Sequence, residues 1–368
     1  MLIKIAIGII AVILLGFFLF MWLARKWLQK QDPDYVLTFV KEHHHKKNCA
    51  LFIKKDHQIV CAINENEPLP LASMVKYIVG IEYAKQAAAG IIQADSEVSL
   101  EALNTFYIKN TDGGAHPAWE ASMRAQHKIK AEHVTVKDVA KGMLQFSSNA
   151  NTDYLINLLG LDSINKNLND LQLSHHDKLY PLVASLYIPN VIQQEQQLQE
   201  KEVLALLKSL SKEDYRNDAI AINEKIKTKQ KLPALTLLNK DVQEIWSNFL
   251  PAASAADYMS LLEKINSKTY FEPAVQHHLD EILESLMEQE ENRQWLKHAG
   301  QKGGSTSFVL TNGFYGTDRH NHTFEMVFMA NHLEPLDATK LRNNLRHFQL
   351  HVVKNSNYAE KVKAALSS

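Results

Sequence analysis

Ser73-Met74-Val75-Lys76 opens an apolar helical run of Met74, Ile78, Val79, Ile81 and Ala84, just after Pro68 and Pro70. A serine at that place has its hydroxyl at the positive end of a helix. Lys76, one turn on, lies on the same face and reaches that hydroxyl. Alone, Ser-x-x-Lys is weak, since about one occurs by chance in a chain of this length. Two later stretches raise its weight: Ser147-Ser148-Asn149 and Lys302-Gly303-Gly304-Ser305.

The three stretches fit one chemistry. A serine hydroxyl is a poor nucleophile and needs a base within hydrogen-bond reach. A lysine amine serves if burial and nearby positive charge lower its pKa. Lys76 sits in an apolar helix, and Lys302 supplies the second charge. A developing oxyanion needs two backbone N–H donors. The Ser73 N–H at the helix start is one candidate. A strand edge with Gly303 and Gly304 admits close approach and offers the other near Ser305. Ser147 is a candidate proton relay to the leaving group, and Asn149 a ligand for both Lys76 and a substrate amide.

Working outward, Asp34 to Glu42 reads as a short helix. Cys49 to Ile53 and Gln58 to Ile63 read as a hairpin. The Ser73 helix runs to about Ala89 and stops at Gly90. Thr135 caps a helix to Gln145, with Asp138 three residues on. Phe146 to Asn151 interrupts, and Tyr154 to Leu159 resumes a helix. Residues 190 to 297 are mostly helical by period. Strands Lys302 to Ser307, Val309 to Gly316 and Thr323 to Ala330 follow, then a helix from Leu336 to Leu350. Strands come first and last, which predicts an α+β fold. Its five-stranded antiparallel sheet takes strands from both chain ends and packs with a mainly helical region.

The chain has 368 residues, 46% of them hydrophobic, enough for a large core. A formal net charge of −1 does not favour nucleic acid as a partner. Ile5 to Ala24 is an uncharged run of 20 residues, long enough to cross a bilayer as a helix, so one N-terminal membrane anchor (1–24) and a linker (25–32) are expected. Lys4 flanks the run on one side and Arg25, Lys26 and Lys30 on the other, a count slightly favouring a cytoplasmic C-terminal domain. Cys49 and Cys61 lie roughly opposite each other in the predicted hairpin. They read as two small buried hydrophobes, with a disulfide as the alternative. His43-His44-His45 reads as a polar run, and His175-His176 and His277-His278 have no partner Cys or Glu at zinc spacing. No metal or organic cofactor is expected, and the oligomeric state is not read.

The order Ser-x-x-Lys, Ser-x-Asn, Lys-Gly-Gly resembles the penicillin-binding proteins and class A β-lactamases, over roughly residues 33 to 352, with 353–368 as a tail. The resemblance implies a serine hydrolase of that fold. Ser73 is then the acylated nucleophile and Lys76 its base or proton relay, with Ser147 in the catalytic set. Asn149, Lys302, Gly303, Gly304 and Ser305 then bind substrate. It also implies work outside the cytoplasm on cell-wall peptides or β-lactams, which places the domain extracytoplasmic despite the flanking charges.

Two departures from the family pattern stand out. Its third motif carries Thr or Ser after the lysine, where this chain has Gly303; Ser305 or Thr306 are the candidate substitutes. Class A β-lactamases also keep a loop glutamate that activates the hydrolytic water. The corresponding stretch, Tyr180-Pro181-Leu182-Val183-Ala184-Ser185, has none, and Tyr180 stands roughly in its place. The reading is therefore a membrane-anchored hydrolase of a β-lactam or D-alanyl-peptide-like substrate. Alternatives are a penicillin-binding D-alanyl carboxypeptidase, a slow-deacylating covalent β-lactam-binding protein, a peptidase or esterase on another acyl substrate, or a non-catalytic scaffold.

Overall fold

The computed structural model describes residues 16–19, 21, 22, 26, 28 and 30–366. The anchor expected over Ile5–Ala24 falls largely outside the described residues. Among the described residues no helix is long and apolar enough to cross a membrane.

Cys49-Ala50-Leu51-Phe52-Ile53 is an unbroken apolar run. A strand reads so when both of its faces are covered, and these five residues are all buried. In chain order come α1 (Asp34–His43), β1 (Cys49–Lys55), β2 (Gln58–Ile63) and α2 (Lys76–Ala88). Next are α3 (Val136–Gln145), α4 (Asn149–Leu159), α5 (Ala255–Asn266) and α6 (Pro273–Leu283). The chain ends with β3 (Leu296–Ser305), β4 (Leu310–Asp318), β5 (Thr323–Ala330), α7 (Pro335–Lys354) and α8 (Ser356–Leu366). Further helices lie between α2 and α3 and between α4 and α5, among them Lys212–Lys227.

The five strands form one antiparallel sheet in the order β2-β1-β5-β4-β3, so the two chain ends meet along β1 and β5, with Cys49 opposite Ala330. The α+β architecture expected from the sequence is present. β3 begins at Leu296, six residues ahead of the expected start, and α8 lies in the segment read as a tail. The two cysteines are not cross-strand partners: Cys61 faces Ile53, and both thiols are free and buried. Burial pushes each thiol up to about 12, so neither is a ready thiolate.

The described residues divide into two units, His43–Leu333 and those before residue 43 together with 334–366. In the second, Tyr35 Oη donates to Asp337 (2.7 Å), Lys361 pairs with Asp34 (2.6 Å), and Phe348 meets Tyr358 edge-on. In the first, α2 is buried on nearly every side, as expected of a central helix apolar all round. It joins a core with Ala50, Phe52, Tyr315, Val327 and Met329 of the sheet. Tyr77 ties α2 to the sheet by donating to the Gly313 carbonyl (3.0 Å).

Candidate active site

Ser73 lies in a single 3-10 turn, Ala72–Val75, and the α-helix proper begins at Lys76. The turn is pinned from three directions. The Leu71 carbonyl accepts from Met74 N–H (3.0 Å) and from Thr311 Oγ1 (2.7 Å), while Leu71 N–H donates to Pro251 (2.9 Å). Ala72 sits at φ 46°, left-handed backbone that a non-glycine residue adopts only when its surroundings impose it. On the sheet side, Gly304 of β3 packs directly on the turn. A Cβ there would stand 2.5 Å from Ser73 N and 2.6 Å from Leu71 O. Glycine is what lets the strand lie against the Ser73 N–H.

The second wall is the corner between α3 and α4. Ser147 at the corner has φ 70°. Ser148 caps α4 by accepting from Asn151 N–H (3.2 Å), which places Asn149 in the first turn. Lys76 reaches across to this corner. Its amine donates to the Ser147 carbonyl (2.7 Å), to Ser147 Oγ (3.3 Å) and to Asn149 Oδ1 (2.8 Å). Lys302 reaches the same hydroxyl from β3: its Nζ donates to Ser147 Oγ (2.9 Å) and to the Gly303 carbonyl (2.6 Å). Ser147 thus joins two lysines that are 226 positions apart in the chain.

Both lysines are buried, at 0% and 4% exposure. Burial disfavours an ammonium ion, and a second ammonium nearby disfavours it further. Lys76 is lowered well below its ordinary 10.5, first by burial and then by Lys302. Lys302 is lowered to about 7 by burial. Both amines are thus held below their ordinary range, Lys76 under the added pressure of a second cation. The sequence reading has Lys76 reach the Ser73 hydroxyl; the contacts of its amine here run to the 147–149 corner.

Gly303 faces Asn312 on β4, and Ser305, exposed at the end of β3, faces Leu310. Thr306 Oγ1 is engaged locally, accepting from Ser247 Oγ (2.8 Å) and from Phe308 and Val309 N–H (3.0 and 3.1 Å). It holds the strand end rather than facing outward. In the stretch where a loop glutamate was sought, Tyr180 is buried and donates to the Phe249 carbonyl (2.8 Å), with its phenol raised by burial. The Asp177 carboxylate takes Lys212 Nζ (2.6 Å) and Ala252 N–H (3.0 Å).

Two buried titratable neighbours of the site escaped the sequence reading. Asp153 is fully buried on α4, one turn after Asn149, and accepts from Leu182 N–H (3.0 Å) and Val183 N–H (2.7 Å). Burial raises its carboxyl to about 7, against the pull of those N–H groups and of Lys76. A carboxylate four residues after Asn149, next to Tyr154-Leu155-Ile156, was the available signal. His116 is also buried. It sits between Tyr107 and Trp119, with Nδ1 2.9 Å from Ser148 Oγ and Nε2 3.1 Å from Asn104 Oδ1. Only the folded chain brings it there.

A model of the beta-lactamase enzyme family matches residues 37–303. A beta-lactamase from Chitinophaga pinensis DSM 2588 is similar in structure, with a TM-score of 0.51 and 12% identity, covering 85% of this chain and 97% of that one. A variant of the TLA-1 extended-spectrum beta-lactamase has a TM-score of 0.51 and 10% identity, over 90% of this chain and 99% of that one. PBP-A has a TM-score of 0.48 and 13% identity, over 90% and 96%. At such identities the two beta-lactamases speak to the fold alone. No curated protein matches. With the family model covering well over half of its length, the chain belongs to the beta-lactamase enzyme family and is a serine hydrolase of the serine β-lactamase and penicillin-binding protein superfamily.

Proposed function

We propose that the protein hydrolyses an acyl substrate of the β-lactam or peptide class through an acyl-enzyme at Ser73. Ser73 Oγ attacks the carbonyl carbon, and its proton passes to neutral Lys76. The oxyanion is held by the N–H groups of Ser73 and Ser305. Ser147 Oγ returns a proton to the departing nitrogen or oxygen, and water later cleaves the ester to release the acid and free Ser73. Asn149 and the strand Lys302–Ser305 hold the substrate. The observation supporting this most directly is the Ser147 hydroxyl shared between two buried lysines. Such a pairing is costly to bury and makes chemical sense where one amine must work as a base. We further propose that Ile5–Ala24 anchors the protein in a membrane with the hydrolase domain extracytoplasmic.

A second reading is a slow-deacylating covalent binder. It is favoured by the engagement of Asp177 with Lys212 and of Tyr180 with Phe249. Intact mass of the detergent-solubilised chain mixed with penicillin, followed over time beside Ser73→Ala, separates the two. A transient adduct with consumed antibiotic means turnover, and a lasting one means the covalent binder. An adduct of equal yield on Ser73→Ala overturns both.

A further inference from the structure

Lys76 grips the corner between α3 and α4 through three acceptors: the Ser147 carbonyl, Ser147 Oγ and Asn149 Oδ1. A neutral lysine amine has two N–H groups and one lone pair. Once that lone pair turns to Ser73, at least one of the three acceptors loses its donor. Ser147 sits at φ 70°, backbone that persists in a serine only where the surroundings impose it. Lys302 grips the Ser147 side chain, not its backbone. A further hold on the corner is needed while Lys76 works as a base.

Ser148, the next residue, is held from two sides. Its carbonyl accepts from Thr152 N–H (3.2 Å) and Thr152 Oγ1 (2.7 Å), and its Oγ accepts from Asn151 N–H (3.2 Å), all within α4. His116 ties it to another element: Nδ1 stands 2.9 Å from Ser148 Oγ, while Nε2 is 3.1 Å from Asn104 Oδ1. The ring is firmly seated between those of Tyr107 (4.8 Å) and Trp119 (5.3 Å). The His116 backbone N–H donates to Asp112 (2.9 Å) at the start of the helix Ala115–Ala125. Trp119 packs on Gly142 of α3, where a Cβ would collide with the indole and the Asn151 amide. Burial lowers the imidazole against the pull of Asp112 and Glu120, so it is largely neutral at about pH 7. With Nε2–H given to Asn104, Nδ1 is the acceptor for the Ser148 hydroxyl. On the reading that Ser73 is the acylated residue, we infer that His116 is a positioning residue: through Ser148 Oγ it holds the Ser147–Asn149 corner in place while Lys76 turns to Ser73.

The test is the second-order rate at which a fluorophosphonate labels Ser73 in the full chain in detergent, read beside the urea midpoint of each variant. His116→Phe keeps the ring stack and loses both ring nitrogens; labelling should slow by about 10- to 100-fold. His116→Asn gives up the stack but keeps a polar atom near the Nδ1 position, and should stay within about threefold of wild type. His116→Gln sets its amide toward Asn104 instead and should be slow, so the Asn–Gln comparison stands even where the Phe variant does not fold. Ser148→Ala should also be slow, and combining it with His116→Gln should slow labelling no further. Rates that simply follow the urea midpoints, Asn and Gln variants that label alike, or losses that multiply in the double variant overturn the inference and leave the nucleophile standing. Wild type that takes no label, or Ser73→Ala that labels equally, overturns the reading of Ser73 on which it rests.

Discussion

Replacing Lys302 by methionine should abolish acylation and also change how stability depends on pH, by an amount that follows from titration. Burial takes the Lys302 amine from 10.5 to about 7. In the unfolded chain it stays protonated to its ordinary value, so unfolding takes up a proton across the interval between the two. Where the unfolded state binds more protons, stability rises with pH; the Lys302 share of stability therefore climbs from about pH 7 to about pH 10.5. Each pH unit of full difference is worth about 1.4 kcal/mol. Between about pH 7.5 and about pH 9.5 the wild type should gain on the order of 2–3 kcal/mol relative to the variant. The lost hydrogen bonds to Ser147 and Gly303 weaken the variant about equally at both ends and drop out of the comparison. Removing this charge lets Lys76 hold its proton more tightly, which widens the change in the same direction. Urea unfolding of both proteins at the two pH values, read by tryptophan fluorescence, measures it. A wild-type-to-variant difference that does not move with pH would refute the reasoning. Lys302 would then titrate near its ordinary value and leave Lys76 undisturbed.

Gly304→Ala should stop acylation and cost on the order of 1–3 kcal/mol, because its methyl meets backbone at Ser73 and Leu71. Gly303→Ala, with only contacts of 3.2 and 3.3 Å to absorb, should fold and acylate; near-equal behaviour of the two in a probe-labelling assay would sink the close-approach argument. Acylation by an uncharged substrate should rise as increasing pH strips the proton from Lys76 and level off once that amine is neutral; a rate that falls as the pH is raised from about pH 5 to about pH 8 would count against Lys76 as the base. Asp153→Asn leaves one N–H of the 182–185 turn facing an amide NH₂, and should cost about 1–3 kcal/mol in chemical denaturation. With its folded carboxyl raised, the share of stability from Asp153 is present below about pH 4 and lost as pH rises through about 7. The Asn variant should lack that fall.

Local rules carried far in this chain. The Thr135 cap is where the sequence places it, with Thr135 Oγ1 accepting from Asp138 N–H, and the hairpin and last strand appear as expected. The three motifs could be aligned by order because each carries its own turn or cap. What failed were features decided by distant neighbours. Leu296 to Gln301 reads poorly as a strand, with Lys297 and His298 inside it, yet pairing with β4 makes it one. The cysteines, read as two buried hydrophobes roughly opposite each other, are buried and free, but the register sets Cys61 against Ile53 rather than Cys49. Ser73 looked like a helix start, but Leu71, anchored by Thr311 and Pro251, forces a tighter turn there. Asp153 and His116 act through partners 29 and 32 residues away, which no local pattern encodes.

The pairing of Cys49 with Ala330 has a consequence for how the molecule is made. β1 and β2 leave the ribosome early, but the strand that covers β1's other edge is among the last to emerge. Until then an apolar strand edge waits unpaired, the kind of template that recruits other chains. Closing so long a loop also makes folding slow relative to its local steps. Nascent chains truncated before Thr323 should therefore aggregate or hold to chaperones.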